Sequence, residues 1–171
     1  MNIRMETAQD WSQVEALVQE AFATAEHRDG NEQDLVRALR NSEAFVPELS
    51  LVAEEQGQLV GHILFTRAQI GGVTGLVLAP LAVLPTHQRQ GVGSALVREG
   101  HRIARALGYP YCSVLGSETY YPRFGYVPAT SLGIQVPDGI PPANFMAIRL
   151  REDAPPIQGP VVYAKEFGME G

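Results

Sequence analysis

The stretch from residue 76 to residue 115 constrains the fold more than any other part of this chain. Residues 76–84 are almost wholly apolar, which suits a central strand buried on both faces. A polar loop follows at 85–90. Residues 92–107 then read as an amphipathic helix, with Leu96, Val97, Gly100, Ile103, Ala104 and Leu107 on one face and Gly108 as its stop. Residues 111–115 are apolar again and read as the next strand. A strand–helix–strand unit needs a crossover connection, so two strands of the sheet are expected to run parallel. Pro80 cannot donate to a ladder, and a bulge or an unpaired stretch is expected there.

The flanking sequence supplies the other elements. Asp10 with Gln13 three residues on matches a capping box, and Val14, Leu17, Val18 and Ala21 follow at helical spacing. A second helix is expected over 32–41, with Leu35, Ala38 and Leu39 on one face, and Pro47 ends that region. Strands at 49–54 and 59–70 flank a Gln56-Gly57 turn and form a hairpin, and Gly71-Gly72 turns the chain again. Residues 116–125 read as a loop with at most one or two helical turns. A later strand is expected at 145–150, a connector at 151–160 and a last short strand at 161–167. With 171 residues, one domain is expected. Its class is α/β: a mixed, mostly antiparallel twisted sheet with helices on both faces.

Charge and cysteine usage exclude several functions. The chain carries 13 Lys and Arg against 19 Asp and Glu, a formal charge of −6, which makes a poor general nucleic-acid binder. The single cysteine, Cys112, can form neither an internal disulfide nor a Cys-rich zinc site, and the four histidines show no metal spacing. No stretch is long and apolar enough for a membrane span, and the N-terminus has no apolar signal-peptide core. A reducing, cytoplasmic compartment is expected. The charge is uneven: residues 1–84 hold 5 arginines and 12 acids, whereas residues 85–130 hold 5 arginines and 2 acids.

That basic segment contains the chemistry. A strand that runs into a glycine-bearing loop opening a long helix presents orphan amides and the positive end of a helix dipole, an anion site. Gly91 and Gly93 allow close approach to the backbone, and Arg89 adds charge, so a phosphate or pyrophosphate ligand is expected. Two common phosphate motifs fail. A Walker loop needs Gly-Lys-Ser/Thr, and the only lysine is Lys165. A dinucleotide fingerprint needs a third glycine where Leu96 stands, and an acidic residue where the chain reads Tyr111, Cys112, Ser113.

Gln88-x-x-Gly91-x-Gly93, set between an apolar strand and an amphipathic helix, is followed about 28 residues later by Tyr120-Tyr121-Pro122-Arg123-Phe124-Gly125-Tyr126. Together these resemble the GNAT superfamily of acyl-CoA-dependent N-acetyltransferases. The resemblance follows element order over most of 1–150 and is sharp over 76–127. It implies that the backbone at Gln88, Arg89, Gln90, Gly91, Val92, Gly93 and Ser94 holds the pyrophosphate of coenzyme A. It implies that Leu81, Ala82 and Val83 pair through their backbone with the pantetheine arm. It places a tyrosine near the thioester sulfur: Tyr121 matches the family position when aligned on Gly125, with Tyr120 beside it. Arg123 either meets the cofactor or caps the short helix.

The reaction implied is direct attack of a primary amine on the thioester of acetyl-CoA. A backbone N–H of the 81–83 strand would meet the oxyanion, and a tyrosine hydroxyl would protonate the leaving thiolate. Glu118 is the foremost candidate base, ahead of Glu54 and Glu55, with a water chain as the alternative. The segment Gly116-Ser117-Glu118-Thr119 departs from the family, many of whose members carry an asparagine just after the fifth strand and then a longer helix; Pro122 keeps any helix here short. Among the histidines, His62 reads as a sheet-face residue, His87 as a loop or phosphate contact, and His27 and His101 as surface residues. Cys112 reads as a buried small hydrophobe. The acceptor, a small-molecule or peptide amine, is not legible, and a homodimer is expected only by analogy. The competing function is a non-catalytic acyl-CoA sensor or docking module, and a weaker one is a nucleotide-binding domain.

Overall fold

The computed structural model describes residues 1–23 and 32–168. Its elements are β1 (Asn2–Met5), α1 (Trp11–Phe22), α2 (Glu32–Arg40), β2 (Phe45–Glu55), β3 (Gln58–Ile70), β4 (Val73–Val83), α3 (Val92–Ala106), β5 (Tyr111–Leu115), β6 (Val127–Pro128), β7 (Phe145–Arg149) and β8 (Val161–Val162). The strand order is β1-β2-β3-β4-β5-β7-β6, with β8 on β3. The pairs β1–β2, β5–β7, β6–β7 and β3–β8 are antiparallel. β4 and β5 are parallel, as the crossover requires, with Leu76 opposite Cys112 and Val77 opposite Ser113. Among the described residues no helix is long and apolar enough to cross a membrane.

The chain forms two compact units: Met1–Phe65 with Ala79–Gly100, and Thr66–Leu78 with His101–Gly171. In the first, Gln56 and Gly57 both have positive φ, 52° and 78°, which gives the tight β2–β3 turn a twist matching its strands. β2 starts at Phe45, ahead of Pro47, so the proline lies within the strand instead of preceding it. The capping box forms one turn earlier than Asp10–Gln13: the Thr7 N–H donates to the Asp10 carboxylate at 2.7 Å, and Asp10 also takes two bonds from Arg4 at 2.8 and 3.0 Å. On α2, Leu39 is buried as expected and Leu35 and Ala38 are half-buried, while Val36 is buried as well.

In the second unit Gly71 and Gly72 turn β3 into β4, with φ of 55° and 89°. Gly75, Leu76, Val77 and Leu78 are buried in succession, and burial alternates only from Ala79 onward. β4 continues through Pro80, whose bond to Ala79 is cis, and its register with β5 is at Leu76 and Val77, ahead of the proline. The segment 151–160 is pinned rather than loose: the Gly71 N–H donates to the Pro160 carbonyl at 3.0 Å, and the Tyr111 hydroxyl to the Pro155 carbonyl at 2.7 Å. The last strand is only two residues long, and Lys165–Phe167 forms a single 3-10 turn.

A buried polar network ties α1 and α2 to the strands of the first unit. Arg40 forks onto both oxygens of Glu6 at 2.9 and 3.1 Å, with the two side chains only 5% and 4% exposed. Its guanidinium lies 4.9 Å over the Trp11 ring. Next to it, the fully buried His62 places Nε2 3.2 Å from the Ser50 hydroxyl. Glu6 lies 3.7 Å from that nitrogen but is already matched by Arg40. Burial first, and the Arg40 charge second, push the imidazole down to about 3, so it is neutral in the folded state.

An unfolded His62 takes up a proton near pH 6.5 that the folded one refuses, so stability is full above that pH and falls as pH drops toward 3. The expected slope from this residue is about 1.4 kcal/mol per pH unit. Urea unfolding at a series of pH values from about 7 to about 4.5 checks it, and His62→Gln should remove that share of the slope. An unchanged slope in the variant would refute the assignment.

Candidate active site

In the first unit, β4 carries Leu81, Ala82 and Val83 toward the loop, and the Leu84 N–H donates to the Val60 carbonyl at 2.9 Å. A 3-10 turn at Pro85–His87 precedes the phosphate loop. Arg89 and Gly91 are left-handed, with φ of 64° and 87°. For Arg89 that conformation is costly, and alternation of this kind turns successive N–H groups toward one concavity. The helix ladder opens with Ala95 N–H to Gly91 O at 3.0 Å. The amides of Val92, Gly93 and Ser94 therefore have no intrahelical acceptor. Space over Gly91 is open to at least 4 Å, and Gln88, Arg89, Gln90 and Gly91 are exposed. The Gln88 and Gln90 side chains brace the loop, donating to the Val83 and Thr86 carbonyls at 3.3 and 3.2 Å. These residues fit a pyrophosphate: donors converge, one cation stands by, and no side chain covers the glycine.

In the second unit, the tyrosine element follows β5. Ser117 Oγ accepts the Thr119 and Tyr120 N–H groups, both at 3.2 Å, and starts a single 3-10 turn at Tyr121–Phe124. Pro122 sits in its first turn, where a missing N–H costs nothing, and Gly125 ends it with φ 102°. Tyr121 is 9% exposed, and Tyr120 is half-buried. The Tyr121 ring meets Tyr120 edge-on at 5.2 Å and Tyr126 at 5.6 Å. Burial, chiefly, pushes its hydroxyl well above the ordinary tyrosine value, so it keeps its proton at neutral pH. The Arg123 guanidinium stands 5.4 Å over the Tyr120 ring.

Within each unit the expected residues are neighbours: Leu81, Ala82 and Val83 with the 88–94 loop in one, Glu118, Tyr120, Tyr121 and Arg123 in the other. Two expectations are corrected. His101 is buried at 3% exposure, and Leu107, expected on the buried face of α3, is 43% exposed. Leu107 instead lies in a glycine stop, where Gly108 N–H bonds Arg105 O and Tyr109 N–H bonds Ala104 O. His27 lies outside the described residues. His87 Nδ1 lies 2.8 Å from the Thr86 hydroxyl.

Sequence reading missed Asn144. Its Nδ2 donates to the Gly116 carbonyl at 3.0 Å and to the Glu118 carboxylate at 2.6 Å, so an amide reaches the start of the tyrosine loop from a residue 26 positions after Glu118. No local pattern could announce that contact.

Comparison with known proteins places this geometry. Residues 47–128 match the acetyltransferase (GNAT) domain family. The chain is 46% identical over 115 residues to the uncharacterized N-acetyltransferase YjhQ of Escherichia coli (strain K12), a match spanning 64% of either chain, just under two thirds of that relative's length. It is 30% identical over 171 residues to the N-acetyltransferase YhbS of the same strain, covering 98% of both. Among solved structures it resembles a GNAT family acetyltransferase from Brucella melitensis in complex with acetyl-CoA, with TM-score 0.81, 36% identity and 97% of each chain covered. It also resembles E. coli YhbS in complex with CoA, with TM-score 0.88, 30% identity, and 99% of this chain and 93% of that one covered.

Burial pushes the Cys112 thiol up to about 12, which leaves it protonated and inaccessible. The native protein is expected to resist a thiol reagent such as DTNB, and the unfolded protein to react with one equivalent per chain. Rapid reaction of the native protein would contradict the buried placement.

Proposed function

We infer that this chain, which belongs to the GNAT family of acetyl-CoA-dependent N-acetyltransferases, moves the acetyl group to a primary amine by direct attack on the thioester. The observation that carries the reading is the opening of α3. Left-handed backbone at Arg89 and Gly91, with free amides at Val92, Gly93 and Ser94, supplies donors suited to a pyrophosphate. The excess of arginines over acids in residues 85–130 favours a polyanionic cosubstrate, and the acidic remainder of the chain favours a cationic acceptor.

The chain's own residues then divide the work. The 88–94 backbone and Arg89 hold the pyrophosphate, and the backbone of Leu81, Ala82 and Val83 pairs with the pantetheine amides. One N–H of that strand stabilises the oxyanion as the amine adds. Tyr121, protonated at neutral pH, gives its proton to the departing thiolate and regains one from solvent. Tyr120 is the alternative donor. Glu118, an exposed carboxylate held by Asn144, receives the amine proton, directly or through water. Arg123 serves Tyr120 by stacking on its ring, which supports the helix-capping role over direct cofactor contact.

Acetyl-CoA at about 100 times its Kd should stabilise the protein by about 2.7 kcal/mol, a rise in Tm of roughly 5–10 °C in thermal unfolding. Added salt should reduce that shift. No shift with acetyl-CoA or CoA would sink the cosubstrate assignment.

With an amine acceptor panel, Tyr121→Phe should lower kcat about 100-fold while the thermal shift with acetyl-CoA persists. A loss confined to Tyr120→Phe would transfer the role to Tyr120. Tight binding with no CoA release from any amine would favour a sensor over an enzyme.

A further inference from the structure

The second unit buries three polar side chains, from α3, β5 and the loop before β6, that meet at one hydroxyl. The Tyr126 hydroxyl lies 3.0 Å from His101 Nε2 on α3 and 3.3 Å from Cys112 Sγ on β5. His101, Tyr126 and Cys112 are 3%, 2% and 0% exposed. Burial chiefly, aided by Arg105, pushes the His101 imidazole down to about 4, so it is neutral and carries a single N–H. The Tyr126 O–H donates to the sulfur, and its oxygen lone pair then accepts from the His101 Nε2–H. The Cys112 S–H continues the chain toward the Ser113 carbonyl at 3.7 Å. The direction is uniform: imidazole to phenol to thiol to backbone.

Three apolar side chains could fill the same volume without this desolvation cost. What the hydrogen bonds add is direction, since a phenol bound on both sides has its ring fixed along and about its axis. That ring forms one wall of the Tyr121 site, with centroids 5.6 Å apart and planes at 74°. Backbone also presses on the Tyr121 ring: a Cβ on Gly116 would stand 2.5 Å from Tyr121 Cε2 and 3.1 Å from Cδ2. Tyr121 is thus packed against both Gly116 and the Tyr126 ring, and a shift of that ring would shift its hydroxyl.

We propose that His101, Tyr126 and Cys112 form a positioning relay that aims the Tyr121 hydroxyl in acyl transfer. The proposal rests on the reading of Tyr121 as the proton donor. None of the three touches the reacting atoms; they act through the Tyr121 ring. Because the relay sets the aim of the proton and not the grip on the cosubstrate, its loss should appear in kcat and spare KM for acetyl-CoA.

The test is steady-state kinetics on Tyr126→Phe, which keeps the ring and its packing but removes both hydrogen bonds. The expected result is a kcat about tenfold lower with KM for acetyl-CoA unchanged, since a small misplacement of a reacting group has effects of this order. Cys112→Ala and His101→Leu should reproduce the loss. Cys112→Ser, which keeps an acceptor, and His101→Gln, which keeps a donor, should restore most of it. A purely structural role would lower Tm in all five variants without separating the two conservative ones from the rest in kcat. Wild-type kcat in Tyr126→Phe, alongside a strong loss in Tyr121→Phe, would overturn the relay and leave the donor assignment standing. Wild-type kcat in Tyr121→Phe would overturn both.

Discussion

The close approach of α3 to β3 is the constraint on which the start of α3, and with it the candidate phosphate loop, depends. Two glycines, one on each element, make it possible. A Cβ on Gly61 of β3 would stand 2.8 Å from Val92 Cγ1 and 2.9 Å from Leu96 Cδ1. A Cβ on Gly100 of α3 would stand 2.6 Å from Phe65 Cζ and closer still to Cε1. Phe65 is completely buried and cannot step aside. Each glycine therefore receives a large side chain from the other element, and the helix is seated at both ends of their contact. Helix propensity alone would prefer alanine at position 100 by about 1 kcal/mol, so glycine there reflects packing and not local preference. Because Val92 is the first helical residue, the same contact fixes where the helix begins and where its free amides lie.

Polar burial is the second theme, and its ionised members on β1, α2 and the turn before α1 stand in pairs that satisfy one another. Arg40 and Glu6 are a buried bidentate pair whose rupture would leave an unmatched charge, a loss of about 3–5 kcal/mol. Arg4 and Asp10 join β1 to the turn that starts α1, and the bonds from Arg4 hold the Asp10 carboxyl well below its ordinary range. Neutral His62 and His101 are tolerated because burial suppresses their protonation. The hydroxyls of Thr66 and Ser113 and His62 Nδ1 are buried without a protein partner, and all three lie on central strands β3 and β5.

Much of the fold was legible because its punctuation is local. The turns at Gln56-Gly57 and Gly71-Gly72, the glycine stop at Gly108 and the proline in the Tyr121–Phe124 turn each follow from backbone conformations that few other residues adopt. Errors arose where the deciding partner is distant in sequence. β1 and β6 are four and two residues long and exist only as partners of β2 and β7. Pro47 stays within β2. The capping box moved to Thr7 because Arg4 recruits Asp10 from outside the helix.

The candidate site shows the same division. The candidate phosphate loop is a contiguous run opening one helix, so residue type and order alone single out Gln88 through Ser94 as candidates, and the YYPRFGY segment is equally plain. By itself the sequence determined the parallel crossover, the anion-binding helix start and the family resemblance. Only the tertiary structure decided which of the paired tyrosines is buried, that His101 turns inward, and that Asn144 holds Glu118. The last two outcomes depend on residues 25 or more positions apart, where packing and hydrogen-bond satisfaction, not local periodicity, select the arrangement.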